Sequence, residues 1–285
     1  MDHIRQAIER AKETRGSDLQ PQEQPAAGPL APQSLTALST PAATQAQRKE
    51  IVLSGPHLES KRIIAHDITD PRTKSFDVLR TQVLQSMDLK SWQFLGVTSA
   101  TEDCGKTVVA TNLALSISRQ TERSVLLIDM DLQRPHVADC LGLSCDQDVV
   151  SVLEGQANLS NVIIQASIRN QNFLVLPCKS STLNSSEWMA SRSMSALLQA
   201  IKRDYRAWTV IIDLPPMLVG DDVISILPQI DGILLVAAIG TTTLAQIKEC
   251  NKHFESTSVV RVVINKTPDM AATYSYSRYG RSQAS

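Results

Sequence analysis

The chain has 285 residues, 42% of them hydrophobic, with a formal charge of −1 and a pI near 6.5. That apolar content suffices for one large core, and the near-neutral balance leaves no basic field to hold nucleic acid or an acidic membrane surface. Five cysteines (Cys104, Cys140, Cys145, Cys178, Cys250) without a C-x-x-C pair argue against a disulfide framework or a zinc or iron–sulfur site, and no apolar run reaches signal-peptide or membrane-spanning length. A cytoplasmic location is expected, with any membrane association borrowed from a partner.

Ile4, Ala7, Ile8 and Ala11 recur at helical spacing, so residues 1–15 read as a short amphipathic helix, either solvated or a docking element. From 16 to 50 the chain turns to Pro, Ala, Gln, Ser and Thr. Such a stretch cannot bury enough apolar surface to order itself and reads as a flexible linker. Residues 51–92 form a lead-in, with Phe76, Leu79, Val83 and Leu84 predicting a helix over 73–88.

Over 93–267, buried-strand runs are expected at Phe94 to Thr98, Val125 to Ile128, Phe173 to Leu176, Val210 to Ile212, Ile233 to Val236 and Val259 to Ile264. Between them, 106–120 places Ala110, Leu113, Ala114 and Ile117 on one helical face, and 193–204 does the same with Met194, Leu197, Leu198 and Ile201. Apolar strands alternating with amphipathic helices predict a doubly wound α/β fold: a mostly parallel sheet covered on both faces, with ligands beyond the carboxyl ends of its strands.

The first of these strands runs into Ala100-Thr101-Glu102-Asp103-Cys104-Gly105-Lys106-Thr107 and then into a helix, which fits the phosphate-binding loop with Ala in its first position. The backbone from Thr101 to Thr107 is suited to cradle phosphates, with Lys106 reaching the β and γ positions and the Thr107 hydroxyl ligating Mg²⁺. Two more acidic sites end strands: Asp129-Met130-Asp131, and Asp213-Leu214-Pro215-Pro216. A lone Asp after a strand is usually a cap, but three sites on strand ends in one sheet point to metal and base chemistry. Asp213 is assigned to Mg²⁺, Asp129 to metal or base work, and Asp131 with Lys106 to catalysis. The last strand ends in Asn265-Lys266-Thr267-Pro268. Guanine readers carry Asn-Lys-x-Asp, so Pro268 in the fourth place favours ATP, with Asn265 near the nucleotide.

With these motifs the chain resembles the bacterial tyrosine autokinases of capsule and exopolysaccharide synthesis, over about residues 70–280. Tyr274, Tyr276 and Tyr279, three of only four tyrosines, crowd into a polar tail at 268–285. The resemblance implies that these tyrosines accept phosphate from another copy, and that a membrane-spanning polysaccharide chain-length regulator stimulates the kinase. The chain departs from that pattern in three places. The family's Pro-Gly is replaced by Glu102-Asp103, two carboxylates near a polyanion, at a cost of up to ~4 kcal/mol for charges 4 Å apart at an effective dielectric of 20. Gln133 stands where an Arg often follows Asp-x-Asp, with Arg134 next to it. A helical Glu-x-x-Arg-x-x-Arg that assembles rings aligns with Lys74, Asp77 and Arg80, of which only Arg80 matches. Two other readings use the same residues: a non-catalytic ATP-binding switch acting on a membrane partner, or a partitioning-type positioning ATPase. The latter usually needs an early loop Lys, and none lies between Thr101 and Cys104.

Overall fold

The computed structural model describes residues 48–254 and 257–267. The expected amphipathic helix at 1–15, most of the linker and the tyrosine tail lie outside them.

The expected alternation is present. The strands are β1 (Lys49–Val52), β2 (Phe94–Ser99), β3 (Val125–Asp129), β4 (Ile164–Ile168), β5 (Gln171–Leu176), β6 (Thr209–Asp213), β7 (Gly232–Ala238) and β8 (Ser258–Asn265). They form one eight-stranded sheet in the order β1-β4-β5-β3-β6-β2-β7-β8, and every neighbouring pair is parallel except β4 with β5. That exception has a simple cause: two residues, Arg169 and Asn170, join β4 to β5, and a parallel crossover needs a dozen or more.

β1 corrects the expected boundaries, since it begins at Lys49, inside the expected linker, and adds an edge to the sheet. The lead-in is therefore built into the same body. Asn112, buried on a helix under the sheet, accepts from the amides of Ile64 (2.8 Å) and Ala65 (2.9 Å) and donates to the Arg62 carbonyl (3.0 Å). A buried amide so fully bonded fixes the lead-in in place.

Alternate strand residues feed two core layers. Leu95, Val97, Leu127, Ile211 and Leu234 pack with helices α1 (Gly55–Ser60), α2 (Thr73–Lys90) and α3 (Lys106–Ser118). Phe94, Leu126, Ile128, Val210 and Ile212 pack on the opposite face, against the later helix Arg192–Asp204. That helix buries Met194, Leu197, Leu198 and Ile201, as its periodicity predicts. α3 is buried nearly all round rather than on one face: Val109, Asn112 and Leu115 are as enclosed as Ala110, Leu113, Ala114 and Ile117. α2 covers its outer side, and Asp77 of α2 is the link. Its carboxylate takes Arg80, Arg119 and the Ser116 hydroxyl. Asp77 and Arg80, which align with the ring-assembly motif, are thus engaged within the chain. All five cysteines are buried and free. Among the described residues no helix is long and apolar enough to cross a membrane.

Candidate phosphate-binding site

Strand register brings the three motifs together. In neighbouring parallel strands Asp129 pairs with Asp213, and Val97 of β2 pairs with Asp213 from the other side. The loop 100–105 therefore leaves β2 directly beside both acidic strand ends. Backbone bonds close the seam: Met217 N–H donates to the Ser99 carbonyl (2.7 Å), Leu218 N–H to Ala100 (3.1 Å) and Met130 N–H to Asp213 (2.8 Å).

The loop has two left-handed residues, Asp103 (φ 58°) and Gly105 (φ 84°). Asp tolerates that region better than most side-chain-bearing residues, which is how the chain manages without the family's Gly at 103. Gly105 has less latitude, because a Cβ there would stand 2.3 Å from Asn265 Nδ2. Asn265 itself donates to the Cys104 carbonyl at 2.9 Å. Its place in the structure is a brace under the loop rather than the cavity wall.

Lys106 and Thr107 open α3 and reach into the cluster. The Lys106 ammonium lies 2.6 Å from Asp131 Oδ2 and 3.7 Å from Asp213 Oδ1, and the Thr107 hydroxyl donates to Asp213 Oδ2 at 2.6 Å. Burial alone would lower the Lys106 pKa, but Asp213, Asp131 and Asp129 outweigh it and hold it above its ordinary value. Asp213 is completely buried, and burial pushes its carboxyl up against the opposing pull of Lys106.

Asp129, in register beside Asp213, is bonded to backbone. Its Oδ1 accepts from the Asp131 amide (3.2 Å) and its Oδ2 from those of His136 (3.1 Å) and Val137 (2.9 Å), and the Asp129 side chain itself is completely buried. Burial, then the adjacent Asp213 charge, raises its pKa well above the usual carboxylate range. It organises the turn that carries Asp131, its two oxygens engaged by three backbone amides. Asp131 does face the opening: one oxygen holds Lys106, and the other accepts the Arg134 amide at 3.0 Å.

A cavity of about 210 Å³ opens here, lined among others by Glu102, Asp103, Gly105, Lys106, Thr107 and Asp131. Thr101, Cys104 and Asn265, expected at the nucleotide, do not line it; the Cys104 thiol points inward toward Thr101 and Thr242. Lining residues not assigned from sequence include Arg134, Gln133, His136 and Val219. Arg134 was visible only as a cation beside Asp-x-Asp. In the structure it pairs with Glu102 at 2.5 Å, so that loop carboxylate is neutralised from 32 residues away. Gln133 donates to Asp222 and Ser185.

A glycine-hinged loop running from a buried strand into a helix, with a Lys, a Thr and Asp131 lining one cavity and the strand-end Asp213 bonded to that Lys and Thr behind it, defines a phosphate-binding-loop nucleotide protein of the doubly wound α/β class. The chain belongs to the AAA domain family, whose model matches residues 99–256. Relatives that it matches include bacterial tyrosine-protein kinases. It is 27% identical over 229 residues to a putative tyrosine-protein kinase EpsB of Ralstonia nicotianae, covering 79% of this chain and 30% of the relative. To the tyrosine-protein kinase CpsD of Streptococcus agalactiae it is 26% identical over 212 residues, covering 72% of this chain and 89% of CpsD. The solved kinase domain of the Escherichia coli tyrosine kinase ETK superposes with a TM-score of 0.65 at 27% identity, covering 77% of this chain and 84% of that domain. The chain thus spans about a third of the length of the first relatives it matches.

The residues present fit Mg·ATP. The left-handed Gly105 lets the loop close over Asn265, Thr107 and Asp213 offer a hydroxyl and a carboxylate side by side, and the buried Asp213 Oδ1 has no hydrogen-bond partner. Mg²⁺ takes few protein ligands and relies on phosphates and water for the rest.

Proposed function

We propose that the chain is an ATP- and Mg²⁺-dependent protein-tyrosine autokinase of exopolysaccharide or capsule assembly, with Tyr274, Tyr276 and Tyr279 as phosphate acceptors. The observation that carries this is the Lys106 ammonium held between Asp131 and Asp213 at the mouth of the cavity, with Thr107 on the same Asp213. Kinship with EpsB, CpsD and ETK supports the choice of tyrosine kinase over a non-catalytic switch or a positioning ATPase.

Bound Mg·ATP supplies the phosphoryl group and its countercharge. Thr107 and Asp213 are placed to hold the metal or its water, and Lys106 to turn from Asp131 toward the phosphates. That turn leaves the Asp131 carboxylate without its cation at the cavity edge, where it can accept the proton of an incoming phenol. Asp129 keeps the backbone of this turn in register. The tail belongs to a segment rich in Ser, Arg, Ala and Gly, suited to enter another copy's site. Several phosphates, each adding about −1.5 to −2 charge, would then loosen contacts between copies. A membrane-spanning chain-length regulator is the partner in this reading, and it places the protein at the inner face of the membrane.

The test is mass spectrometry of the purified chain with and without Mg·ATP, mapping phosphate to the tail. Mixing a Lys106→Ala chain with one whose three tail tyrosines are Phe then probes transfer between copies. Phosphotyrosine on the Lys106→Ala chain is the expected result; an unlabelled wild type would overturn the kinase assignment in favour of the switch.

A further inference from the structure

We infer that Arg134 is a phosphate-contacting residue of this site and that Glu102 holds it off its ligand until a nucleoside triphosphate arrives. The inference rests on the nucleotide reading above and concerns Glu102, where the chain departs from the family pattern, and Arg134, the neighbour of a second departure at Gln133.

The backbone of Arg134 is fixed: its amide donates to Asp131 Oδ1, the carboxylate that also grips Lys106, and Pro135 follows it, which restricts its own backbone to extended conformations. The side chain is different. The side chain is 62% exposed and, among the described residues, its guanidinium is anchored only by Glu102, whose side chain is 39% exposed. A long side chain swinging from a fixed base can sweep the mouth of the cavity it lines, while Lys106 stands on the opposite side of Asp131. A carboxylate presents two oxygens to a guanidinium in nearly the geometry of a phosphate, so Glu102 occupies the place that a terminal phosphate would take. An exposed ion pair of this kind is cheap to open, worth less than a factor of about five in an equilibrium. A phosphate carrying more charge, in a partly enclosed cavity, outcompetes it.

Before the nucleotide arrives, this pairing eases the conflict posed by Glu102 and Asp103. With Arg134 on Glu102, the loop has one uncompensated carboxylate rather than two while it waits; with Arg134 on the phosphate, Glu102 is released to water. The exchange is driven only when a terminal phosphate is there to be met, so it confers preference for the triphosphate over the diphosphate.

Titration calorimetry of the full chain with Mg²⁺ and either ADP or the β,γ-imido analogue of ATP tests this. Arg134→Ala should weaken the triphosphate analogue about tenfold and leave ADP nearly unchanged, while Arg134→Lys retains part of the preference. Glu102→Gln should tighten the triphosphate several-fold, and that gain should be larger with Arg134 present than in the Arg134→Ala background. If Arg134 merely shields Glu102, the order reverses, because the bare carboxylate left by Arg134→Ala is the one whose removal helps most. A gain larger in the Arg134→Ala background, or an unchanged triphosphate-to-diphosphate ratio in Arg134→Ala, overturns the inference while leaving the site intact, provided Lys106→Ala abolishes binding of both nucleotides. Absence of binding to the wild type overturns the inference and the nucleotide reading together.

Discussion

Removing Lys106 should cost stability as well as nucleotide binding, and the stability loss should depend on pH. The ammonium is 11% exposed and contacts Asp131, 4% exposed, and Asp213, fully buried, with buried Asp129 in register beside it. Lys106→Ala deletes the one cation that, among the described residues, is ion-paired with Asp131 and Asp213. Breaking a buried pair by removing one partner costs about 3–5 kcal/mol, and for a body of this size each kcal/mol moves Tm by roughly 2–4 °C, so a drop of about 10 °C is expected near pH 8. Asp213 already has a raised pKa with Lys106 in place, and losing the cation raises it further. A carboxyl whose folded pKa lies above its unfolded value binds more protons in the folded state, so its contribution is intact below the unfolded value and is lost as pH rises through the folded one. The Tm gap between wild type and Lys106→Ala should therefore narrow as pH falls from 8 toward 5. Scanning calorimetry across that range, without nucleotide, is the assay. A variant as stable as wild type at pH 8, or a gap independent of pH, would show that Lys106 does not sit between these carboxylates.

Asp129→Asn and Asp131→Asn should separate scaffold from chemistry. The first turns an amide donor toward backbone donors at 131, 136 or 137 and should cost about 1–3 kcal/mol along with tail labelling. The second should abolish labelling with nucleotide still bound, as read by melting curves and phosphotyrosine mapping. Gly105→Ala forces a φ of 84° on a residue with a Cβ and drives that Cβ against Asn265, so nucleotide binding should fall by at least tenfold, about 1.4 kcal/mol; equal affinity would deny Gly105 its hinge role. Asp231 accepts the amides of Gln93 (2.9 Å) and Phe94 (2.8 Å) at the start of β2. Asp231→Ala should destabilise the domain by about 2 kcal/mol with nucleotide affinity unaltered, since it acts at the opposite end of the strand from the loop.

Six of the eight strands are legible as apolar runs: five because a strand covered on both faces needs hydrophobic residues in near-unbroken succession, and β8, largely exposed at the sheet edge, because of its Val and Ile content. The phosphate loop is legible for a related reason: its glycine, lysine and threonine act within one turn of chain, so spacing alone specifies them. β1 escapes because, at the sheet edge, Lys49 and Glu50 are exposed and read as linker. β4 escapes because its five residues alternate, with Gln165 and Ser167 between Ile164, Ala166 and Ile168, too short a signal to separate from a loop. Tertiary structure alone decided which carboxylates serve the cavity. Asp129 and Asp131 are two residues apart, yet the pleat and the turn after β3 send one into backbone amides and the other to Lys106. Glu102 found its countercharge 32 residues away, Asn265 became a brace for Cys104, and Asp77 closed α2 onto α3. Pairings of this kind depend on where distant segments come to lie once two core layers have packed, and local periodicity holds no record of that.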